Sequence, residues 1–231
     1  MSGPVVAIHQ PQYLPWLKYF GKAAACDIFV HLDTVPYQRD GVQNRNMVKT
    51  HQGPRWLTVP VHASIDTTIA DVTIAREHWA NKHLKTLTQS YGKTEYFPTM
   101  RDELAPILES GFTHLADLNI AAVDWTLRQF GIACRQVRAS ELAVSGSKDD
   151  LVIDICRALG AAVYLSGTGA RAYQDPTKFA AAGIQLRYQQ FTHPTYRQAH
   201  ESAGFIADLA AIDLLFNMGP ASKELLARAA A

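Results

Sequence analysis

Four short segments of the chain gather residues that could do chemistry. His9 and Gln10 end an apolar run, Val5 to Ile8. A histidine at such a point can serve as general acid or base, or donate a hydrogen bond to a phosphate. It can equally pin the loop that follows. Tyr13, Trp16 and Tyr19 come next. They could wall a base, ring or sugar, or anchor the loop by their own packing. Gln38, Arg39, Gln43, Asn44, Arg45 and Asn46 crowd one polar stretch. Amide and guanidinium groups at that density suit a sugar, phosphate or carboxylate, although asparagine also recurs in loops for backbone reasons. Ser166-Gly167-Thr168-Gly169-Ala170-Arg171 follows a second apolar run. Backbone amides of such a loop can cradle an anion, with Ser166, Thr168 and Arg171 in support. The loop is neither a Walker loop nor the dinucleotide fingerprint. His193-Pro194-Thr195-Tyr196 forms a polar, aromatic turn in which His193 is the alternative base.

Other polar residues read differently. Asp213 and Asn217, four apart in an apolar helix, read as a buried network. His83 falls on an apolar helix face and reads as a satisfied core histidine, and Lys49 as a solvated strand residue. His31 and Asp33 share a strand face. Together with His9 they would allow metal-dependent hydrolysis, but the remaining histidines have no metal-ligand spacing.

These residues must be held by elements. Val5 to Ile8 is short, β-branched and uninterrupted, as in a buried parallel strand. Pro11 and Pro15 force a turn. Leu17 to Cys26 predicts a helix and Asp27 to Asp33 the next strand. Ligands collect at the carboxyl ends of the strands in such a unit, which places His9, Gln10 and Asp33 near one crevice. Met47 to Thr50 and Arg55 to Val61 predict a hairpin about Gly53-Pro54, and Ala70 to Ala75 a weaker strand. Helices are predicted over Glu77 to Tyr91, Pro98 to Ser110 and Thr113 to Phe130, with Gly111 and Gly131 as stops. Strand and helix then alternate: strands at Ala133 to Arg138, Ala162 to Leu165 and Gln185 to Phe191, and helices at Lys148 to Leu159, Pro176 to Ala182, Leu209 to Phe216 and Ser222 to Ala230. The pattern predicts one α/β domain, a parallel sheet with helices on both faces. An insertion over residues 34–130 would comprise a β-rich excursion (44–75) and a helical layer (77–130).

Composition excludes several classes. The 231 residues can bury a real core. A net charge of +1 leaves nothing to favour nucleic acid, so an anionic ligand needs a local site. The three cysteines are odd in number and widely spaced, against a disulfide framework, and no Cys-x-x-Cys supports structural zinc. Neither a signal peptide nor a membrane-spanning stretch is read, so a cytoplasmic protein without membrane insertion is expected.

Several blocks carry a resemblance to a known family: Ile8-His9-Gln10-Pro11-Gln12-Tyr13-Leu14-Pro15-Trp16-Leu17, Leu32-Asp33, Gln43-Asn44-Arg45-Asn46, Trp56 to Val61, Tyr164-Leu165-Ser166-Gly167, His193 to Tyr196 and Ile212 to Asn217. On these the chain resembles the WbqC-like family, nearly end to end. Lys18 stands where that family usually has glycine, and Pro36 where glutamine is expected. The resemblance implies a role in O-antigen or related surface-sugar biosynthesis. A looser likeness links the opening strand, loop, helix and strand to the HUP or nucleotidyltransferase-type core. The His-x-x-His or His-x-Gly-His signature of those enzymes is absent here, and a shared fold does not give function.

Two functional expectations follow. The first is a group-transfer enzyme that forms an amide or ester on a nucleotide-linked amino sugar or similar acceptor. Its donor would be linked to a nucleotide, coenzyme A or phosphopantetheine. His9 or His193 would be the base. Gln10, Tyr13, Trp16, Asp33, Asn44, Arg45, Asn46, Ser166, Gly167, Arg171 and Tyr196 would bind substrate. The second is a non-catalytic scaffold that presents a carrier-bound intermediate to a partner enzyme. The enzyme reading expects His9, Asn44, Arg45, Ser166 and His193 in one cleft; the scaffold does not need it. The substrate would be a small molecule or carrier-bound, and a homodimer through exposed aromatics stays open.

Overall fold

The computed structural model describes residues 3–75 and 78–230. Its strands are β1 (Val5–His9), β2 (Ile28–His31), β3 (Arg45–Thr50), β4 (Gly53–Thr58), β5 (Val61–His62), β6 (Thr73–Ile74), β7 (Arg135–Arg138), β8 (Val163–Ser166) and β9 (Gln185–Tyr188). Its helices are α1 (Leu17–Ala24), α2 (Trp79–Tyr91), α3 (Phe97–Glu109), α4 (Leu115–Phe130), α5 (Lys148–Ala158), α6 (Pro176–Ala181), α7 (Ile212–Met218) and α8 (Ser222–Ala229). The expected helix start at Glu77 lies outside the described residues. Among those residues, no helix is long and apolar enough to cross a membrane.

Five strands form one sheet in the order β7-β2-β1-β8-β9, every neighbour parallel. The chain therefore winds outward from β1 in one direction through β2 and β7. It then crosses back to β8 and winds outward in the other. This is the doubly wound arrangement, with its switch point between β1 and β8. Alternation along the strands splits the core in two. Val6, Ile8, Ile28 and Val30 face α5 and α6 through Leu151, Ile155 and Phe179. Ala7 and Phe29 face the other way, toward Leu17 and Phe20 of α1, Val123 and Leu127 of α4 and Leu226 of α8. Helices on both faces are what makes β1 and β2 read as unbroken apolar runs.

The long segment between β2 and β7 carries the hairpin β3–β4, the small pair β5–β6 and the layer α2 to α4. The predicted second hairpin strand, Arg55 to Val61, is split. Pro60 has no N–H to continue a ladder, so β4 ends at Thr58 and Val61–His62 pair with β6 instead. The weak strand at Ala70 to Ala75 shrinks to Thr73–Ile74 after a single 3-10 turn, Ile69–Asp71. Gly131 ends α4 as predicted, in the left-handed region at φ 67, where glycine avoids a Cβ clash.

Lys49 is buried rather than solvated. Its Nζ donates to the Gly204 carbonyl at 2.6 Å, and its backbone N–H donates to Tyr91 Oη. Buried Asp213 accepts from Tyr91 and Tyr196 Oη and from Gln198 Nε2, while Asn217 donates to the Asp213 carbonyl. His83 is buried, and its Nδ1 is hydrogen-bonded to Tyr13 Oη at 2.8 Å. Burial holds its pKa down at about 4.

Candidate functional site

A crevice of about 1010 Å³ opens at the carboxyl ends of β1 and β8, against about 550 and 280 Å³ for two further clefts. That position is the switch point, where the loops after β1 and β8 leave the sheet in opposite directions and cannot fill the space between them. His9 and Gln10 line one side from the end of β1; Ser166, Gly167 and Thr168 line the other from the end of β8. Trp16, Lys18, Tyr19 and Lys22 descend from α1 and the loop before it. The far wall is the start of α5, Ser147 to Val152, with Asp175 and Lys178.

Lys22 is the least expected residue here. Sequence reasoning placed it in a helix and gave it no role. It is only 3% exposed, and its Nζ donates to the Ile8 carbonyl at 2.8 Å. Among the described residues no carboxylate pairs with it. Burial pushes its pKa down to about 7. An unpaired cation removed from water is costly unless it loses its proton or gains an anion. The signal available in the sequence was a lysine in an otherwise apolar helix, four residues after Lys18 and so on the same face. Lys18 itself bridges the crevice: its Nζ donates to Thr168 Oγ1 at 2.8 Å, and its carbonyl accepts from Gln189 Nε2.

His9 packs its ring on Tyr19, centroids 4.7 Å apart, and faces the Gln10 carbonyl through Nδ1 at 3.1 Å. A carbonyl only accepts, so the neutral ring carries its proton on Nδ1 and keeps the lone pair on Nε2. Burial holds the pKa of His9 well below its ordinary value, and the charges on Lys22, His31 and Lys18 add to the effect. The ring is therefore a neutral base at neutral pH.

The other residues singled out in the sequence divide. Gln10, Trp16, Ser166 and Gly167 line the crevice with His9. Gln10 Oε1 accepts from Gln43 Nε2, and Ser166 Oγ donates to Gln174 Oε1. Tyr13 is fully buried against Trp79 and His83. Asn44 Nδ2 donates to the Val59 carbonyl and Asn46 Nδ2 to the Leu14 carbonyl. Leu14 stands at φ 43, a region costing a branched residue about 1 kcal/mol, so Asn46 clamps a strained turn. Arg45 donates to the Gly41 and Asp40 carbonyls and stacks over Trp56 at 4.6 Å. Arg171 stacks on Tyr188 at 4.7 Å. His193 engages both nitrogens, Nδ1 with the Pro194 carbonyl and Nε2 with the Asp208 N–H, inside an aromatic cluster with Tyr196 and Phe205. Asn44, Arg45 and His193 thus lie outside the lining that His9 and Ser166 share.

Asp33 is fully buried, and both of its oxygens are occupied. They accept from Arg138 Nε and from the N–H and hydroxyl of Ser140, all within 2.9 Å. His31 Nε2 binds Gln136 Oε1 at 2.9 Å. Among the described residues no group of three or more His, Cys, Asp or Glu could hold a metal. Asp33→Ala is expected to lower stability by roughly 1–3 kcal/mol in urea melts, because it leaves the Ser140 N–H and hydroxyl without their acceptor and takes one of the two carboxylates from Arg138, which keeps Asp117 at 2.7 Å. A change under about 0.5 kcal/mol, as for a surface side chain, would show that Asp33 does not hold this corner.

The crevice belongs to a doubly wound α/β protein with a neutral histidine and two lysines at its switch point. The chain itself belongs to the WbqC-like protein family, whose model matches residues 10–225. It is 33% identical over 229 residues, covering 96% of each chain, to a protein of Mycobacterium tuberculosis (strain ATCC 25618 / H37Rv) bearing the name "Uncharacterized protein Rv1507c". No solved structure matches it.

Proposed function

We propose that this protein is a group-transfer enzyme acting on a phosphorylated substrate held in the β1–β8 crevice. The observation that carries the reading is Lys22, a buried lysine on the floor of the crevice beside His9 that pairs with no carboxylate among the described residues. An anionic ligand supplies the missing counter-charge. Lys18 and the backbone of the Gly167–Thr168 loop would share the anion, as glycine-rich turns after a parallel strand do. His9 Nε2 would take the proton from an attacking amine or hydroxyl. The nucleophile's new bond to the acyl carbon forms as the donor's bond to its leaving group breaks, and the proton passes on to that group. The product is an amide or an ester. The family resemblance favours an amino sugar linked to a nucleotide as acceptor. It favours a donor linked to a nucleotide, coenzyme A or phosphopantetheine. Trp16 and Tyr164, both on the lining, would pack against a ring.

One observation favours the scaffold reading: Asn44, Arg45 and His193 lie outside the crevice lining. A ligand screen separates the two. Inorganic phosphate, nucleoside diphosphates, nucleotide sugars and coenzyme A are each added to the protein and to Lys18→Met, and melting is followed. A ligand that binds only the folded state raises Tm by mass action. The expected result is a rise with one phosphorylated class that is at least halved in Lys18→Met. No rise with any of them would overturn the enzyme reading in favour of the scaffold.

A further inference from the structure

Cys26 and Cys134 lie on the opposite edge of the molecule from the crevice chemistry. Their spacing of more than a hundred residues gave the sequence no reason to pair them. The sheet does so. Register pairs Ile28 with Arg135, and the Arg135 N–H donates to the Asp27 carbonyl at 2.9 Å. Each cysteine sits just before that pairing, Cys26 in the turn after α1 and Cys134 in the loop after α4. Neighbouring strands run about 4.8 Å apart and rise about 3.3 Å per residue, so a one-residue diagonal spans about 6 Å. That falls in the Cα separation a disulfide accepts. The two thiols are close enough to shift each other's titration. Both are half-buried, and both line one surface cleft of about 280 Å³. Cys26 Sγ also reaches the Ala23 carbonyl at 3.3 Å, at the end of α1.

We infer that Cys26 and Cys134 form a redox-active dithiol whose reactant is a low-molecular-weight disulfide entering from this cleft. Cys134 is the attacking sulfur, because it is the less buried of the two and so meets the reactant first. Its thiolate attacks one sulfur of the reactant; the reactant's S–S bond breaks and one thiolate leaves. A mixed disulfide stands on Cys134. Cys26 then gives up its proton and attacks the Cys134 sulfur, releasing the second thiol. Two protein thiols are oxidised and one external disulfide is reduced to two thiols. Cys156 takes no part: it is buried in the other half of the core, and burial pushes its pKa up to about 12. None of this depends on what the crevice binds.

The test uses the folded full-length chain with glutathione disulfide as probe. Two of the three thiols are expected to be lost to a thiol reagent, with a peptide cross-link joining Cys26 to Cys134 in the digest. Cys26→Ser is expected to stop at one glutathionyl group on Cys134. Cys134→Ser is expected to slow thiol loss at least tenfold, which is the scale a two-sulfur relay implies. Glutathionyl groups on both cysteines without a cross-link would overturn the proposal. So would a Cys134→Ser protein that reacts as fast as the unaltered one.

Discussion

Lys22→Met is expected to make this protein more stable and to weaken its affinity for a phosphorylated ligand. The lysine's pKa falls from an ordinary 10.5 to about 7 in the folded protein. Between those values the unfolded chain holds a proton that the folded chain has released. Stability therefore rises with pH across that window and is lowest below about pH 7, where the folded protein too must bury the charge. At about 1.4 kcal/mol per pH unit the window spans roughly 5 kcal/mol, reduced by any water that reaches the crevice. Methionine fills a similar volume with no charge to bury. A gain of roughly 2–4 kcal/mol at pH 7 is expected, or several degrees in Tm for a chain of this size. The variant's stability should lose its rise between pH 7 and 10.5. Binding should weaken about 100-fold, the worth of a desolvated charge-assisted hydrogen bond. In the unaltered protein, a bound anion restores the charge on Lys22, so binding takes up a proton above pH 7 and affinity falls as pH rises. Calorimetry in buffers of different ionisation enthalpy reads that uptake. A destabilised Lys22→Met protein that still binds phosphate at full strength would remove the lysine from the site and leave the proposed function without its main support.

His9→Asn should separate catalysis from binding. A positioned general base contributes about 10²–10⁴-fold to a rate, so turnover of the donor and acceptor selected by the ligand screen should fall by that factor. Affinity for the phosphorylated ligand should change less than about threefold, since Lys18 and Lys22 remain. The pKa of His9 lies below its ordinary value of 6.5. The acid limb of the rate profile should accordingly fall below pH 6.5, with the base fully available above it. His193→Ala is the companion variant. Both nitrogens of His193 are already engaged, by the Pro194 carbonyl and the Asp208 N–H, and its removal should leave turnover within about twofold. A large loss in His193→Ala with little in His9→Asn would reverse the assignment of the base.

The same two residues mark where a linear reading stops. The apolar runs Val5 to Ile8 and Val163 to Leu165, the prolines at 11 and 15 and the glycine at 131 determine local structure because strand burial, missing N–H donors and left-handed backbone are properties of a few neighbouring residues. From them the parallel α/β sheet, its helices and the placing of His9 and Ser166 at strand ends are all legible in the linear sequence. Type and spacing also brought out Asn44, Asn46 and Asp33 as polar residues with work to do. Spacing cannot say whether an amide faces a ligand or a carbonyl of its own chain. The tertiary structure decided that Asn46 clamps Leu14 and that Asp33 holds Arg138 and Ser140. It also decided that Lys22 has no carboxylate partner among the described residues and that Cys26 meets Cys134 across a sheet edge. Each of these is a contact between residues far apart in sequence. Its free energy depends on what else the fold excludes from the same space, and that is set only when the whole chain has closed around it.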